Sequence, residues 1–247
     1  MNFQDNFSKQ AELYAKSRPH YPKELFQYLS TLTAEHKLAW DCATGNGQAA
    51  IALTDYYKKV IGTDASESQI KNAKPHDQVE YRVALAEDSM LSEKSVDLIT
   101  VATALHWFDL EKFYAEVKRV GKPGGILAAW AYFKLEMDDR VQLVLRKLSI
   151  DFLGKYWSPD LKKVAGDYKT IPFPFEEIEA PHFDAITSWN IQNLIDYIHT
   201  WSFTQKYIDV NGKDPVDEVI SELRDAWGDI NINKEIKWPL ALKIGRL

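Results

Sequence analysis

Two apolar runs, each closing on an acid and separated by a small-residue turn, constrain this chain more than any other feature. The first is Leu38-Ala39-Trp40-Asp41, which passes into Cys42-Ala43-Thr44-Gly45-Asn46-Gly47-Gln48; the second is Val60-Ile61-Gly62-Thr63-Asp64. The segment between them, about 48–57, has helical character. Together they read as a βαβ unit with a nucleotide pocket: small residues let the backbone turn tightly beside a ligand, and the second acid is placed to accept ribose hydroxyls. Which nucleotide the pocket takes is left open at this level.

The same alternation continues to about residue 133. Residues 22–36 read as a helix opened by Pro22, which suits a first helical turn. Strands are expected at 38–41, 59–63, 79–84 and Val96–Ala102, with a short helix after Ser66. Asp109–Val120 carries Phe113, Val117 and Val120 at helical spacing with charges opposite. Lys122-Pro123-Gly124-Gly125 ends that helix, and Ile126–Phe133 is a fifth strand. Apolar strands alternating with helices predict an α/β chain whose parallel sheet is buried on both faces. Beyond about 134 the pattern loosens. Helices are expected near 139–154, 190–199 and 214–227, irregular structure over the proline- and aromatic-rich 155–188, and a final strand over Ile236–Ile244. No repeat or flexible linker interrupts the chain. It reads as one domain, 1–247, with N-terminal helices (1–36), a ligand-binding core (37–133) and an elaborated C-terminal half (134–247).

Composition excludes little but directs the search. The 247 residues are 45% hydrophobic and 27% charged with a net charge of −6, and no basic block or stripe points to nucleic acid. No apolar stretch approaches the ~18 residues needed to span a bilayer. Met1–Asp5 lacks the pattern of a secretory signal, so a cytoplasmic protein is expected. The single cysteine, Cys42, sits in the turn where a small side chain is needed and reads as packing. His20, His36, His76, His182 and His199 show no ligand spacing, so no metal site is expected. The expected partner is a small molecule, and the chain a monomer or homodimer.

Asp41 narrows the nucleotide. Ala43-x-Gly45-x-Gly47-x-x-Ala50 nearly fits a dinucleotide loop, but an acid directly before it would repel pyrophosphate, which counts against an NAD-dependent oxidoreductase. The same acid suits a ligand carrying an ammonium and a sulfonium, as S-adenosylmethionine does. Here the chain resembles the class I S-adenosylmethionine-dependent methyltransferases of the type 11 group. Asp41–Gly47 is similar to that family's acidic glycine-rich motif, with Ala43 in place of its first glycine. Asp64 corresponds to its ribose-binding acid and Ala86-Glu87-Asp88 to its adenine-contacting turn. Thr103–Asp109 corresponds to the loop after the fourth strand, and Lys122–Gly125 to the turn before the fifth. Phe7-Ser8, Tyr14, Arg18–Pro22, His106-Trp107-Phe108, Tyr156-Trp157 and Gly245-Arg246 resemble the subgroup of trans-aconitate methyltransferases and their relatives.

The resemblance implies a Rossmann-like, mostly parallel central sheet with helices on both faces and antiparallel last strands, the edge hairpin taking in 236–244. It implies S-adenosylmethionine as cofactor, held by Tyr14, Arg18, Asp41, Ala43, Gly45, Gly47, Asp64, Ala65, Ala86, Glu87 and Thr103. Either Glu87 or Asp88 would meet the adenine amino group. Tyr14 and Arg18, spaced i,i+4, share a helix face in a segment that would cover the cofactor, where Arg18 could pair with a carboxylate of cofactor or acceptor. His106 and Trp107 follow the fourth strand, where open α/β sheets bind ligands. His106 is the candidate base for a hydroxyl or amine acceptor, Trp107 and Trp157 candidate acceptor contacts. A carboxylate acceptor would need no base. A non-catalytic S-adenosylmethionine-binding protein is the alternative from another class.

Overall fold

The computed structural model describes residues 18–247, so Tyr14 and Phe7-Ser8 lie outside the described residues. Along the chain run α1 (Lys23–Thr31), β1 (Leu38–Cys42), α2 (Gln48–Leu53), β2 (Lys59–Asp64), α3 (Glu67–Asn72), β3 (Val79–Val83), β4 (Val96–Ala102), α4 (Leu110–Val120) and β5 (Gly121–Ala131). The C-terminal half adds α5 (Asp139–Arg146), α6 (Pro159–Ala165), β6 (Glu176–Glu177), β7 (Asp184–Trp189), α7 (Ile191–His199), α8 (Ser202–Asn211), α9 (Ile220–Trp227), β8 (Lys234–Pro239) and β9 (Ala241–Arg246). The strands form a sheet of order β3-β2-β1-β4-β5-β9-β6, with β1 to β5 parallel and β9 antiparallel to both β5 and β6. β7 and β8 form a separate antiparallel pair.

The period of two along each strand distributes the core between the two faces. Ala39, Leu98, Ile126, Ala128 and Trp130 pack on one side with α1, α2, α5 and α7. Trp40, Ile99, Val101, Leu127 and Ala129 pack on the other with Phe113 and Val117 of α4. All of these side chains are fully buried, and each large one contributes about 1.5–3 kcal/mol. Asp109 caps α4 by accepting the Lys112 N–H, and Lys118 and Arg119 lie in the last turn, where cations are favoured.

The expected strand 236–244 is divided. Its first part, in β8, pairs with β7; its second, in β9, enters the main sheet. Pro239 has no N–H for a ladder, and the Leu240 N–H turns to the Phe183 carbonyl (2.9 Å), so the chain changes sheets there. The helix expected over 139–154 stays α-helical only to Arg146 and continues as a π-helical segment over Lys147–Phe152. The stretch 155–188 is more ordered than expected. Ser158 caps α6 and Pro159 occupies its first turn, while α8 was not anticipated.

Candidate active site

Order reverses beside β1, whose neighbours are β2 and β4, and a crevice forms outside the carboxyl ends of the strands at such a point. The turn after β1 enters it in left-handed conformation, with φ +55° at Ala43, +54° at Gly45 and +84° at Gly47. Ala43 therefore accepts a backbone angle that glycine would take without strain. At Gly47 a Cβ would also overlap the Tyr81 phenol, which would have to move aside. The turn is tied to β2: Thr44 N–H donates to the Thr63 carbonyl (2.9 Å) and Gly45 N–H to Asp64 Oδ2 (2.9 Å). Asp64 Oδ1 accepts the Ser66 N–H (2.9 Å).

Asp41 is withdrawn beneath the turn and 1% exposed. Its carboxylate accepts Thr44 Oγ1–H at 2.6 Å and Thr100 Oγ1–H at 2.8 Å. Burial raises its pKa from 3.8 to about 6 against those two donors. Glu87 accepts the Asp109 backbone N–H (2.9 Å) and so joins the turn after β3 to the start of α4. Ala86 is buried, Asp88 exposed, and Ala65 half-buried. The strand-end segments 41–48, 62–66, 84–89 and 103–109 contain Asp41, Asp64, Glu87, Asp88 and Asp109 and neither Lys nor Arg. A diphosphate would find no cation within these segments, whereas an ammonium and a sulfonium meet an acidic field. The donor set fits S-adenosylmethionine.

Thr103, in left-handed conformation at φ +56°, leads from these loops into a cavity of about 490 Å³. Its hydroxyl lies 3.1 Å from the Tyr21 hydroxyl. His106, Trp107 and Arg18 line the same cavity with Tyr132, Tyr197 and Trp201. Arg18 Nη2 donates to the Thr200 carbonyl (3.2 Å), Nη1 lies 3.5 Å from the Tyr132 hydroxyl, and the guanidinium carbon is 5.1 Å from the Tyr197 ring centre. Trp157 is not among the lining residues. It packs against two of them, 5.1 Å from the Phe133 ring and 5.9 Å from that of Phe203, and its indole N–H donates to the Ser149 carbonyl (3.0 Å) within the π-helical segment.

His106 is 4% exposed, with Nδ1 3.0 Å from the Tyr168 hydroxyl. Burial lowers its pKa from 6.5 to about 3; Asp160 opposes that shift and Lys163 adds to it. Sequence reasoning missed Tyr168, as it did Thr44, Thr100, Tyr132 and Tyr197. Tyr168 stands 62 positions from His106 in a segment without periodicity, and no local signal links the two. Among the described residues no group of three or more His, Cys, Asp or Glu could hold a metal ion. No helix among them is long and apolar enough to cross a membrane.

Comparison with known proteins agrees with this geometry. The sequence model of the family described as "Methyltransferase domain" matches residues 40–129, from β1 into β5. A Dictyostelium discoideum protein assigned as a methyltransferase is 37% identical over 91% of this chain and 87% of its own length. A Saccharomyces cerevisiae protein named as an S-adenosylmethionine-dependent methyltransferase is 25% identical over 91% of each. Among solved structures, one described as a type II methyltransferase from Anaeromyxobacter dehalogenans superimposes with a TM-score of 0.87 at 38% identity, covering 93% of this chain and 97% of that one. Likeness at this level, over nearly the whole of both chains and with a donor set that suits a sulfonium, leaves one conclusion: the chain belongs to the class I S-adenosylmethionine-dependent methyltransferases, whose methyl donor is S-adenosylmethionine.

Proposed function

We propose that this methyltransferase acts on a small acceptor bearing a carboxylate, and that the carboxylate oxygen is the atom methylated. The observation that carries the proposal is Arg18, a cation lining the cavity that opens from Thr103 beside the cofactor loops. A guanidinium there can grip a carboxylate bidentately. The aromatic rings of Tyr132, Tyr197 and Trp201 exclude water and confine the acceptor. The division of labour we propose is cofactor binding by residues 37–133 and acceptor selection by 134–247 together with the segment around Arg18.

S-adenosylmethionine supplies a methyl group on a positively charged sulfur, which leaves as a neutral thioether. The protein's contribution is alignment and desolvation. In this reading Asp64 and Glu87, both carboxylates at strand ends beside the glycine turn, orient the nucleoside by accepting its hydroxyl and amino hydrogens. Ala43, Gly45, Gly47, Ala65 and Ala86 supply the close backbone surface, and Thr103 stands between cofactor and acceptor. Asp41 acts through its field and by holding Thr44. A carboxylate arrives with its lone pair free and needs no base. That suits His106, whose pKa of about 3 makes its neutral ring a poor proton acceptor. The motifs around Arg18–Pro22 and His106–Phe108 support a relationship to the trans-aconitate methyltransferase-like subgroup, with Trp107 in contact with the acceptor.

The test has two stages. S-adenosylhomocysteine should raise the melting temperature while NAD leaves it unchanged, and Asp64→Ala should weaken S-adenosylhomocysteine binding by about ten-fold or more. Methyl-labelled cofactor is then incubated with a fractionated metabolite extract. Label should appear in acidic fractions and be released as methanol by mild alkali, as an ester requires. Alkali-stable label would overturn the carboxylate assignment.

A further inference from the structure

The residue that stands out beyond the cofactor loops is Tyr168. It is fully buried, and it follows Asp167 in an adjacent pair of non-glycine residues held left-handed, at φ +55° and +59°. Such a conformation costs of order 1 kcal/mol or more per residue and persists only where its surroundings impose it. Here it turns the Tyr168 ring under the helical turn Leu105–Trp107, with its hydroxyl 3.0 Å from His106 Nδ1 and the ring centres 5.9 Å apart. A buried phenol is a better donor than acceptor and an unprotonated imidazole nitrogen is a good acceptor, so the favoured pairing has the Tyr168 O–H facing Nδ1. Nδ1 accepts, so the imidazole proton resides on Nε2. Nε2 has no protein partner among the described residues and is not sealed from solvent, and His106 lines the acceptor cavity.

We infer that Tyr168 is a positioning residue that locks His106 in its Nε2–H tautomer, so that the acceptor cavity presents a fixed, neutral N–H donor beside Thr103 and Arg18. This donor would hold an oxygen of the acceptor in line for methyl transfer, and only this last step rests on the function proposed above. The arrangement also explains why a histidine is buried in the cavity wall with a phenol rather than a carboxylate on Nδ1. An uncharged donor orients an acceptor oxygen without competing with Arg18 for its charge.

The tautomer can be read directly by nitrogen NMR of ¹⁵N-histidine-labelled protein saturated with S-adenosylhomocysteine, with His106→Gln used to assign the resonance. The expected result is an unprotonated Nδ1 and a protonated Nε2, unchanged between pH 5 and pH 8. In Tyr168→Phe the Nδ1 shift should move towards the tautomer average while S-adenosylhomocysteine affinity stays within about two-fold. A protonated Nδ1 in the unaltered protein overturns the inference, and so does a His106 spectrum that Tyr168→Phe leaves unchanged. Should the variant fail to fold, the spectrum of the unaltered protein alone decides. None of these readouts depends on which acceptor is methylated, so loss of the carboxylate assignment would leave the tautomer result standing.

Discussion

Asp41 offers the sharpest physical test of the site, because its carboxylate is buried against a motif that needs it. Its pKa rises from 3.8 to about 6 in the folded chain, with burial as the largest cause. The folded state therefore holds about one more proton than the unfolded state between those values. Stability from this group is greatest below pH 4 and falls by roughly 1.4 kcal/mol per pH unit as pH rises to 6, after which the loss is constant at about 3 kcal/mol. Asp41→Asn removes the titration. It also disturbs the bonds from Thr44 and Thr100, a cost of about 1–3 kcal/mol that does not depend on pH. Denaturant unfolding of both proteins at pH 4, 5, 6 and 7 separates the two effects. The stability of the variant relative to the parent should improve by about 2 kcal/mol from pH 4 to pH 7. His106 contributes with the opposite sign, its lowered pKa costing stability as pH falls, but that contribution is common to both proteins and cancels. A relative stability that is flat across this range would refute the reasoning, since it would mean that Asp41 ionises in the fold as it does in water. Binding gives a second readout: the parent should gain affinity for S-adenosylmethionine from pH 5 to pH 7 as Asp41 becomes an anion, and the variant should not.

Gly47→Ala should lower stability by about 3 kcal/mol and the melting temperature by about 10 °C, from overlap with Tyr81 and a left-handed backbone together; a loss under about 2 °C would show that the turn relaxes freely. Arg18→Met should raise the KM for the labelled acceptor fraction by about ten- to a hundred-fold, the worth of a charge-assisted pair. S-adenosylhomocysteine affinity should stay within about two-fold, and a large loss there would reassign Arg18 to the cofactor. Cys42 is fully buried, and burial holds its thiol well above the usual range. Aromatic disulfide reagents should leave it unmodified in the native protein at pH 8 and react promptly in denaturant; fast native reaction would contradict the packing.

The first half of the fold was legible because its signals are local. β1, β2, β4 and α4 each declare themselves by an apolar period and by punctuation at their ends, and Asp41, Asp64 and the glycines between them belong to one contiguous unit. The C-terminal half was misread where composition stood in for local chemistry. The prolines of 155–188 suggested irregularity, yet Ser158-Pro159 is itself a helix start, with a capping hydroxyl and a proline in the first turn. The split of 236–244 was marked by Pro239, but its partners β7 and β5 lie far away in sequence.

The sequence alone therefore determined the parallel α/β sheet, which follows from the size and spacing of neighbouring residues, and its motifs pointed to the methyl donor through a family resemblance that the charge of Asp41 supports. The tertiary structure decided what those residues do. It withdrew Asp41 under two threonine hydroxyls, brought Asp64 to two backbone N–H groups, packed Trp157 against Phe133, and placed Tyr168 against His106. Burial and partnership of that kind depend on chain segments far apart in sequence. They change a group's charge, its tautomer and its reach without leaving any mark on the local pattern.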